Sequence, residues 1–600
     1  MAETETQDSA GGALGHLPEW NLADLYDGPR SQALVADLER TDKAARAFRA
    51  RYEGKLAALP GAALAETVAA YEELQETLGR AMSYAQLVYA GDMTDPEIGR
   101  FYQTMQERTT EITTELLFFT LELNRLEDEL LESKLRESEA LARYRPWLRD
   151  LRSFRPHQLS DELERLLHEK RVAGKAAWVR LFDETMAALR FPLDGEQLTS
   201  AEVLHKLADP DGAVREAAAK SLGRVLSENQ RIFALITNTL AKDKQIEDGW
   251  RGYARPVSSR NLENCVEDEV VEALVAAVRE AYPALSHRYY ALKARWLGGE
   301  ELASWDRNAP LPEAESRIVP WERARETVLQ AYGRFSPELA ELGRRFFENG
   351  WIDAPVRPGK SPGAFAHPTV PSAHPYLLLN YQGQTRDVMT LAHELGHGVH
   401  QVLAADQGLL MANTPLTLAE TASVFGEMLT FQSVLAAEDD PARRKVLLAG
   451  KVEDMLNTVV RQIAFHEFER RLHDRRRGGE LTAGEIGGIW LEVQRESLGP
   501  ALRFEEEYGA YWAYIPHFVH SPFYVYAYAF GDCLVNSLYA VYEDAAEGFA
   551  AKYLEMLRAG GSKRHKDLLA PFGLDASNPD FWKKGLGVIA GFIDQLEAMD

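Results

Sequence analysis

A mostly α-helical fold is predicted by three observations. Apolar residues recur three or four apart through long stretches of the 600-residue chain. Glycine and proline are sparse inside those stretches, as helix interiors require. Period-two alternation, the mark of a half-buried strand, is rare. The pattern begins with "SQALVADLERTDKAARAFRARYEGKL" and "LAETVAAYEELQETLGRAMSYAQLVYA" and recurs around 97–139, 159–190, 200–245 and 266–296. The first half therefore reads as packed helical hairpins, with no fixed-period repeat to suggest a solenoid.

The texture changes near 297. "GGEELASWDRNAPLPEAESRIVPWERA" reads as a loop, and helical pattern returns over 321–348. Residues 353–375 hold six prolines and read as an extended, turn-rich connector. "HPYLLLNY", 374–381, is apolar and proline-bounded and reads as a short strand. Helical pattern resumes near 386 and continues over 415–436 and 443–474. An aromatic-rich segment follows at 504–530 within a last quarter that again reads as helical.

The net charge of −25 makes nucleic acid and anionic membrane surfaces poor partners. Two cysteines, Cys265 and Cys533, are too few for a disulfide framework and fit a reducing compartment. Residues 1–16 are acidic and rich in small residues, and read as a disordered tail. The start has neither a basic nor an apolar signal region, and no apolar run reaches about 18 residues. The expected location is the cytoplasm.

The chemistry concentrates in "TLAHELGHGVH", residues 390–400. His393 and His397, four apart on a helix, put both imidazoles on one face. One Zn²⁺ could take a nitrogen from each at about 2.0–2.1 Å. Glu394 lies about 100° further round, able to reach a metal-bound water without being a ligand. This is the H-E-x-x-H pattern of zinc hydrolases. Chance would produce it roughly 0.03 times in a chain of this length. The chain carries its own near-miss: His466-Glu467 begins alike, but Arg470 stands where the second histidine belongs.

A catalytic zinc usually keeps three protein ligands. Ten residues after His393 stands Leu403, which excludes the metzincin pattern. His400 is two turns from His393, too far to complete a tetrahedron, and reads as packing or as support behind the ligands. Glu420 and Glu427 in "LAETASVFGE" share one face of the next helix. Thr417 to Glu420 also fits a capping box, in which the glutamate only caps its own helix. Spacing leaves ligand and cap open for Glu420. It also leaves Glu427 open, as a ligand or as a group holding a ligating histidine from behind.

These residues resemble the oligoendopeptidase F branch of the M3 (thimet oligopeptidase-like) metallopeptidases. The likeness lies in "GAFAHPTVPSAHPYLLLNYQGQTRDVMTLAHELGHGVH", "LAETASVFGEML" and "IPHFVHSPFYVYAYAFG", in that order, with a weaker match at "LPEWNLADLYDG". It covers nearly the whole chain beyond the tail. The resemblance implies a two-lobed helical clamshell enclosing a deep channel with zinc on its floor, and a small β element near the zinc-binding helix. The lobes are expected at 17–200 and 201–600, with the C-terminal part able to contribute to both.

It also implies one zinc ion held by His393, His397 and Glu420, with Glu394 as general base and Glu427 behind the ligands. His517 and Tyr526, then Tyr524, are its candidates for steadying the peptide oxyanion, although Tyr528 and His520 share the segment. Short peptides are the implied substrates. The strand residues Leu378, Leu379, Asn380 and Tyr381 are the candidates for pairing with an extended peptide. A zinc carboxypeptidase and a catalytically idle peptide-binding protein are the rival readings.

Overall fold

Helices dominate the computed structural model, which describes residues 14–171, 173–311, 318–545 and 547–600. The acidic tail expected at 1–16 lies almost wholly outside the described residues. Among the described residues no helix is long and apolar enough to cross a membrane.

The chain divides into two compact units. One comprises Met1–Arg155, Ser316–Ala437 and Asp544–Gly573; the other comprises Pro156–Glu315, Glu438–Glu543 and Leu574–Asp600. The linear division expected at 200/201 is therefore replaced by an interleaved one. The cause is core packing between segments distant in sequence. In the first unit, Phe335 and Phe425 meet Phe549 and Tyr553 from the far end of the chain, with ring centroids 4.6–6.2 Å apart.

The first unit opens with the helices Gln32–Tyr52, Gly61–Gly91 and Pro96–Arg125. The last begins where Asp95 accepts the Glu97 and Ile98 N–H groups and Pro96 fixes the first turn. The continuous pattern at 97–139 is broken by a kink at Leu126 before the helix Asp128–Glu137.

A three-stranded sheet follows: β1 (Ile352–Asp353), β2 (Phe365–His367) and β3 (Tyr376–Leu378). Its order is β1-β3-β2, with β3 parallel to β1 and antiparallel to β2. The strand expected at 374–381 thus exists, but it is central. Beyond β3 the same pairing continues, Leu379 N–H donating to Asp353 O and Tyr381 N–H to Ala354 O. Leu378, Leu379 and Tyr381 are buried, and the Asn380 amide donates to the carbonyls of Ser361 and Gly363. A peptide cannot add at Leu378, which is paired on both edges. Leu379 and Tyr381 are buried and bonded on the β1 side, and the Asn380 side chain is spent on the Ser361 and Gly363 carbonyls, so these four side chains serve the scaffold rather than the peptide contacts expected of them.

Helix α1 (Thr385–Ala404) leaves this sheet. Asp387 accepts the N–H groups of Gln382 and Gln384, satisfying donors at the helix start. Its buried face, Val388, Leu391, Leu395, Val399 and Leu403, follows the helical period. Helix α2 (Leu416–Ala437) packs along it.

The second unit is organised on the long helix Gly212–Arg251, capped by Asp211 at one end and by the left-handed Gly252 at the other. Against it pack helix α3 (Val460–Arg476) and the helix Ala483–Leu498. The core gathers Phe182, Phe233, Phe465, Phe468, Trp490 and Trp512. Burying a large ring is worth about 2–3 kcal/mol, against a few tenths for most differences in helix propensity, so packing rather than propensity sets these helices. The aromatic segment 504–530 is broken into a 3₁₀ stretch (Glu506–Tyr514), a short helix (His517–His520), a turn and then helix α4 (Tyr526–Asp544). Trp490→Ala, which empties a site only 1% exposed, is expected to cost about 3–5 kcal/mol, read as a lower denaturant midpoint in far-ultraviolet circular dichroism.

Candidate metal centre

The glycine inside the motif governs how the two helices meet. A methyl group on Gly396 would collide with the Ala422 carbonyl oxygen and lie 2.7 Å from Ser423 Cα. Glycine costs about 1 kcal/mol in a helix interior relative to alanine. Here it lets the backbone of α2 lie directly on α1. Gly426 serves a neighbouring approach, leaving room for the Tyr332 hydroxyl, which donates to the Ala392 carbonyl at 2.6 Å.

That closeness brings Glu420 to both motif histidines. Its Oε2 is 3.3 Å from His393 Nε2 and 3.4 Å from His397 Nε2. Ser423 Oγ donates to the same oxygen at 2.7 Å. Among the described residues, His393, His397 and Glu420 form a group whose ligand atoms all lie within 4.8 Å of one another. Two atoms each about 2.0–2.1 Å from a tetrahedral centre stand roughly 3.3 Å apart. Two imidazole nitrogens and one carboxylate oxygen at these separations fit one Zn²⁺ in donor type, number and span.

Groups behind the cluster aim it. His393 Nδ1 meets Glu427 Oε2 at 3.1 Å, which leaves Nε2 to face Glu420. Burial opposes charge on His393, but the carboxylates of Glu420 and Glu427 outweigh it and hold the imidazolium well above the ordinary histidine range. Burial likewise opposes charge on Glu420, and His393 and His397 hold its carboxyl well below the usual range. A cation binding here would take the place of the His393 proton, since a ligating imidazole must be neutral.

His400 is buried on the same helix. Burial drives its pKa down to about 4, and it bonds the backbone of Ala419 and Leu557, tying the chain just before Glu420 to the helix Phe549–Arg558.

Glu394 is 8% exposed. Burial raises its pKa, partly offset by His393, His397 and the N–H of Ala366 in β2, which binds its carboxylate. A carboxyl raised in this way is a better proton acceptor near neutrality than an exposed one.

The second unit holds the other expected residues. His517 Nε2 lies 3.3 Å from the Tyr528 hydroxyl, and the Tyr524 ring sits 6.0 Å from the His517 ring and 5.3 Å from that of Tyr528. All three are partly exposed. Tyr526 is not among them: its side chain is fully buried and its hydroxyl accepts from the Asn264 amide at 2.9 Å. Tyr528 takes the place expected of Tyr526, because residues four apart, Tyr524 and Tyr528, share a face as the chain enters α4. His520 points elsewhere, its Nε2 2.7 Å from Asp183. Ser423, Gly396 and the Ala366 N–H were not singled out by the sequence pattern. Only Gly396 carried a signal there, as a glycine inside a helix.

Comparison with known proteins gives this geometry its setting. The model of peptidase family M3 matches residues 206–588, and that of Oligopeptidase F matches 122–191. The chain belongs to peptidase family M3. It is a metalloendopeptidase of the oligoendopeptidase F kind. Oligopeptidase PepF of Bacillus subtilis is 26% identical over 595 residues, covering 97% of this chain and 87% of the relative. Plasmid-borne oligoendopeptidase F of Lactococcus lactis subsp. cremoris is 26% identical, covering 97% and 98%. A Chlamydophila abortus crystal structure superposes with a TM-score of 0.84 at 22% identity, covering 97% of this chain and 98% of that one. Oligoendopeptidase-F from Enterococcus faecium gives 0.70 at 23%, covering 94% and 97%.

Two outcomes are expected for this M3 peptidase. Gly396→Ala should push α2 off α1 and abolish stoichiometric metal binding, measured by elemental analysis of purified protein. Glu427→Ala should weaken zinc affinity about 10- to 100-fold in chelator competition, since His393 loses the group that orients it.

Proposed function

We propose that this chain is a zinc-dependent endopeptidase acting on short oligopeptides, with Glu394 as general base. The observation that carries the reading is the convergence of His393, His397 and Glu420 beside a buried Glu394. A zinc ion held by those three residues would supply Lewis acidity, lowering the pKa of a water and polarising the peptide carbonyl.

The remaining work falls to the chain. Glu394, anchored by the Ala366 N–H, takes the proton of the attacking water and returns it to the departing amine. Glu427 and Ser423 keep His393 and Glu420 aligned as charge shifts. The reading assigns His517, Tyr524 and Tyr528 to the developing oxyanion. It does so on the family likeness of their segment and on their chemistry, imidazole and phenol donors gathered at one place. With Leu378 paired on both edges and the Leu379, Asn380 and Tyr381 side chains held within the scaffold, substrate selection is assigned to other residues. Oligopeptidase F relatives supply the substrate class by name, and a chain with only two cysteines suits a reducing, cytoplasmic setting.

The deciding experiment is cleavage of end-blocked peptides, mapped by mass spectrometry, with and without chelator. Internal cuts that vanish on chelation and return with Zn²⁺ are expected; trimming restricted to free ends would reject an endopeptidase. Glu394→Gln should retain one zinc per chain and lose turnover by about 10²- to 10⁴-fold. Strong residual turnover in zinc-loaded protein would remove Glu394 from its role.

A further inference from the structure

Phe523 is fully buried and sits at φ = +59°, in the left-handed region that bulky side chains rarely adopt. Such a conformation persists only where the surroundings impose it. Here the surroundings are a face of α3. The Phe523 N–H donates to Glu469 Oε1 at 2.8 Å in a buried bond. The Phe523 ring packs against His473 at 4.9 Å and His466 at 5.9 Å.

The turn itself is closed by Tyr524 N–H donating to the Ser521 carbonyl. Arg260 reaches it from the helix Ser258–Glu263, donating from Nε to the Pro522 carbonyl at 3.3 Å, with its guanidinium 5.9 Å from the centre of the Tyr524 ring.

Glu469 is an expensive residue to keep at this place. It is 2% exposed, and its Oε2 has no hydrogen-bond partner among the described residues. Burial pushes its pKa up to about 8, with the Phe523 N–H, and after it Arg260 and Lys244, pulling the other way too weakly to restore it. A leucine would fill the same volume without the desolvation penalty. What leucine could not do is accept the Phe523 N–H and so hold the backbone in its strained state. The two neighbouring histidines are buried and neutral, with pKa values driven down to about 4 and about 3, and fill space around the ring without competing for that N–H.

We infer that Glu469 is a positioning residue for the peptidase reaction: by clasping Phe523 it fixes the turn Ser521–Tyr524 and thereby sets Tyr524 against His517 and Tyr528. The inference rests on the assignment of that histidine–tyrosine group to the oxyanion, and goes beyond it by naming what holds the group in place. The carboxyl acts as a hydrogen-bond acceptor of fixed reach, so length matters more than charge.

The test is a comparison of three full-length, zinc-loaded variants on one quenched peptide: Glu469→Leu, Glu469→Asp and Glu469→Gln. Zinc content and thermal midpoint are recorded for each. Leucine removes the acceptor, and aspartate withdraws it by one methylene while keeping the charge. Both are expected to lower kcat about 10- to 100-fold with KM changed less than threefold. Glutamine, whose carbonyl keeps the reach, restores most of that loss. A residue that only stabilised the fold would shift the thermal midpoint without separating kcat from KM or ranking glutamine above aspartate.

Should the leucine variant not fold, the contrast between aspartate and glutamine carries the test. Tyr528→Phe and His517→Ala serve as the reference for the underlying assignment. If they lower kcat while Glu469→Asp stays within twofold of wild type, the clasp is overturned and the oxyanion assignment stands. If they leave kcat unchanged, the assignment fails and takes the clasp with it.

Discussion

The approach of α2 to α1 at Gly396 sets the distance on which the centre depends. Helix axes usually stand 8–10 Å apart, and side chains normally fill the gap. Here the contact is backbone on backbone, Gly396 against Ala422 and Ser423, so a glutamate on one helix can lay its carboxylate across two histidines on the other. The rest of the first unit keeps this contact from sliding. Tyr332 fastens the Ala392 carbonyl, the Tyr553 hydroxyl fastens that of Thr421, and Phe335, Phe425, Phe549 and Tyr553 close the apolar side.

Polar burial around this contact has a consistent logic. An isolated buried charge is costly, whereas groups that compensate one another are retained. His393 lies between two carboxylates, Glu420 between two imidazoles and a hydroxyl, and Glu394 against a backbone N–H. Each side chain has its orientation set by a neighbour, so little reorganisation remains when charge shifts during a reaction. The sheet contributes through β2, whose Ala366 N–H anchors the Glu394 carboxylate, rather than through its central strand.

The second unit supplies an instructive contrast in α3. His466-Glu467 begins the same motif as His393-Glu394 and sits on a helix that is equally buried. There Glu467 is taken by Arg470 in a two-point ion pair, with Arg279 and Arg471 close behind. His466 faces the rings of Phe523 and Tyr526. With Arg470 one turn on in place of a second histidine, and with no metal-holding group found there among the described residues, the same dipeptide becomes scaffold. What separates the two sites is the set of groups opposite them.

Much of this was legible in the chain itself. The helical class follows from apolar spacing, which is local and survives any tertiary arrangement. His393, Glu394 and His397 declare themselves because their geometry is fixed within one helical turn. The short hairpin Phe191–Leu193 and Glu196–Leu198, turning at Asp194-Gly195, was not read from the sequence, because two three-residue strands are too short to stand out against the helical pattern on either side.

Other features had no local signature. Whether Glu420 caps its own helix or faces the histidines depends on where α2 lies, and spacing was silent on that. Tyr526 and Tyr528 are equivalent in composition, and only the entry into α4 turns one to Asn264 and the other to His517. The strand at 376–378 was visible as a strand, but its central position depends on β1 and β2 arriving from either side. The sequence by itself determined the helices and the one-turn motif, since both are set by residues within a few positions of each other. The tertiary structure alone decided how Glu420 meets the two histidines, which tyrosine meets His517 and how the units interleave, since those depend on contacts between segments far apart in the chain.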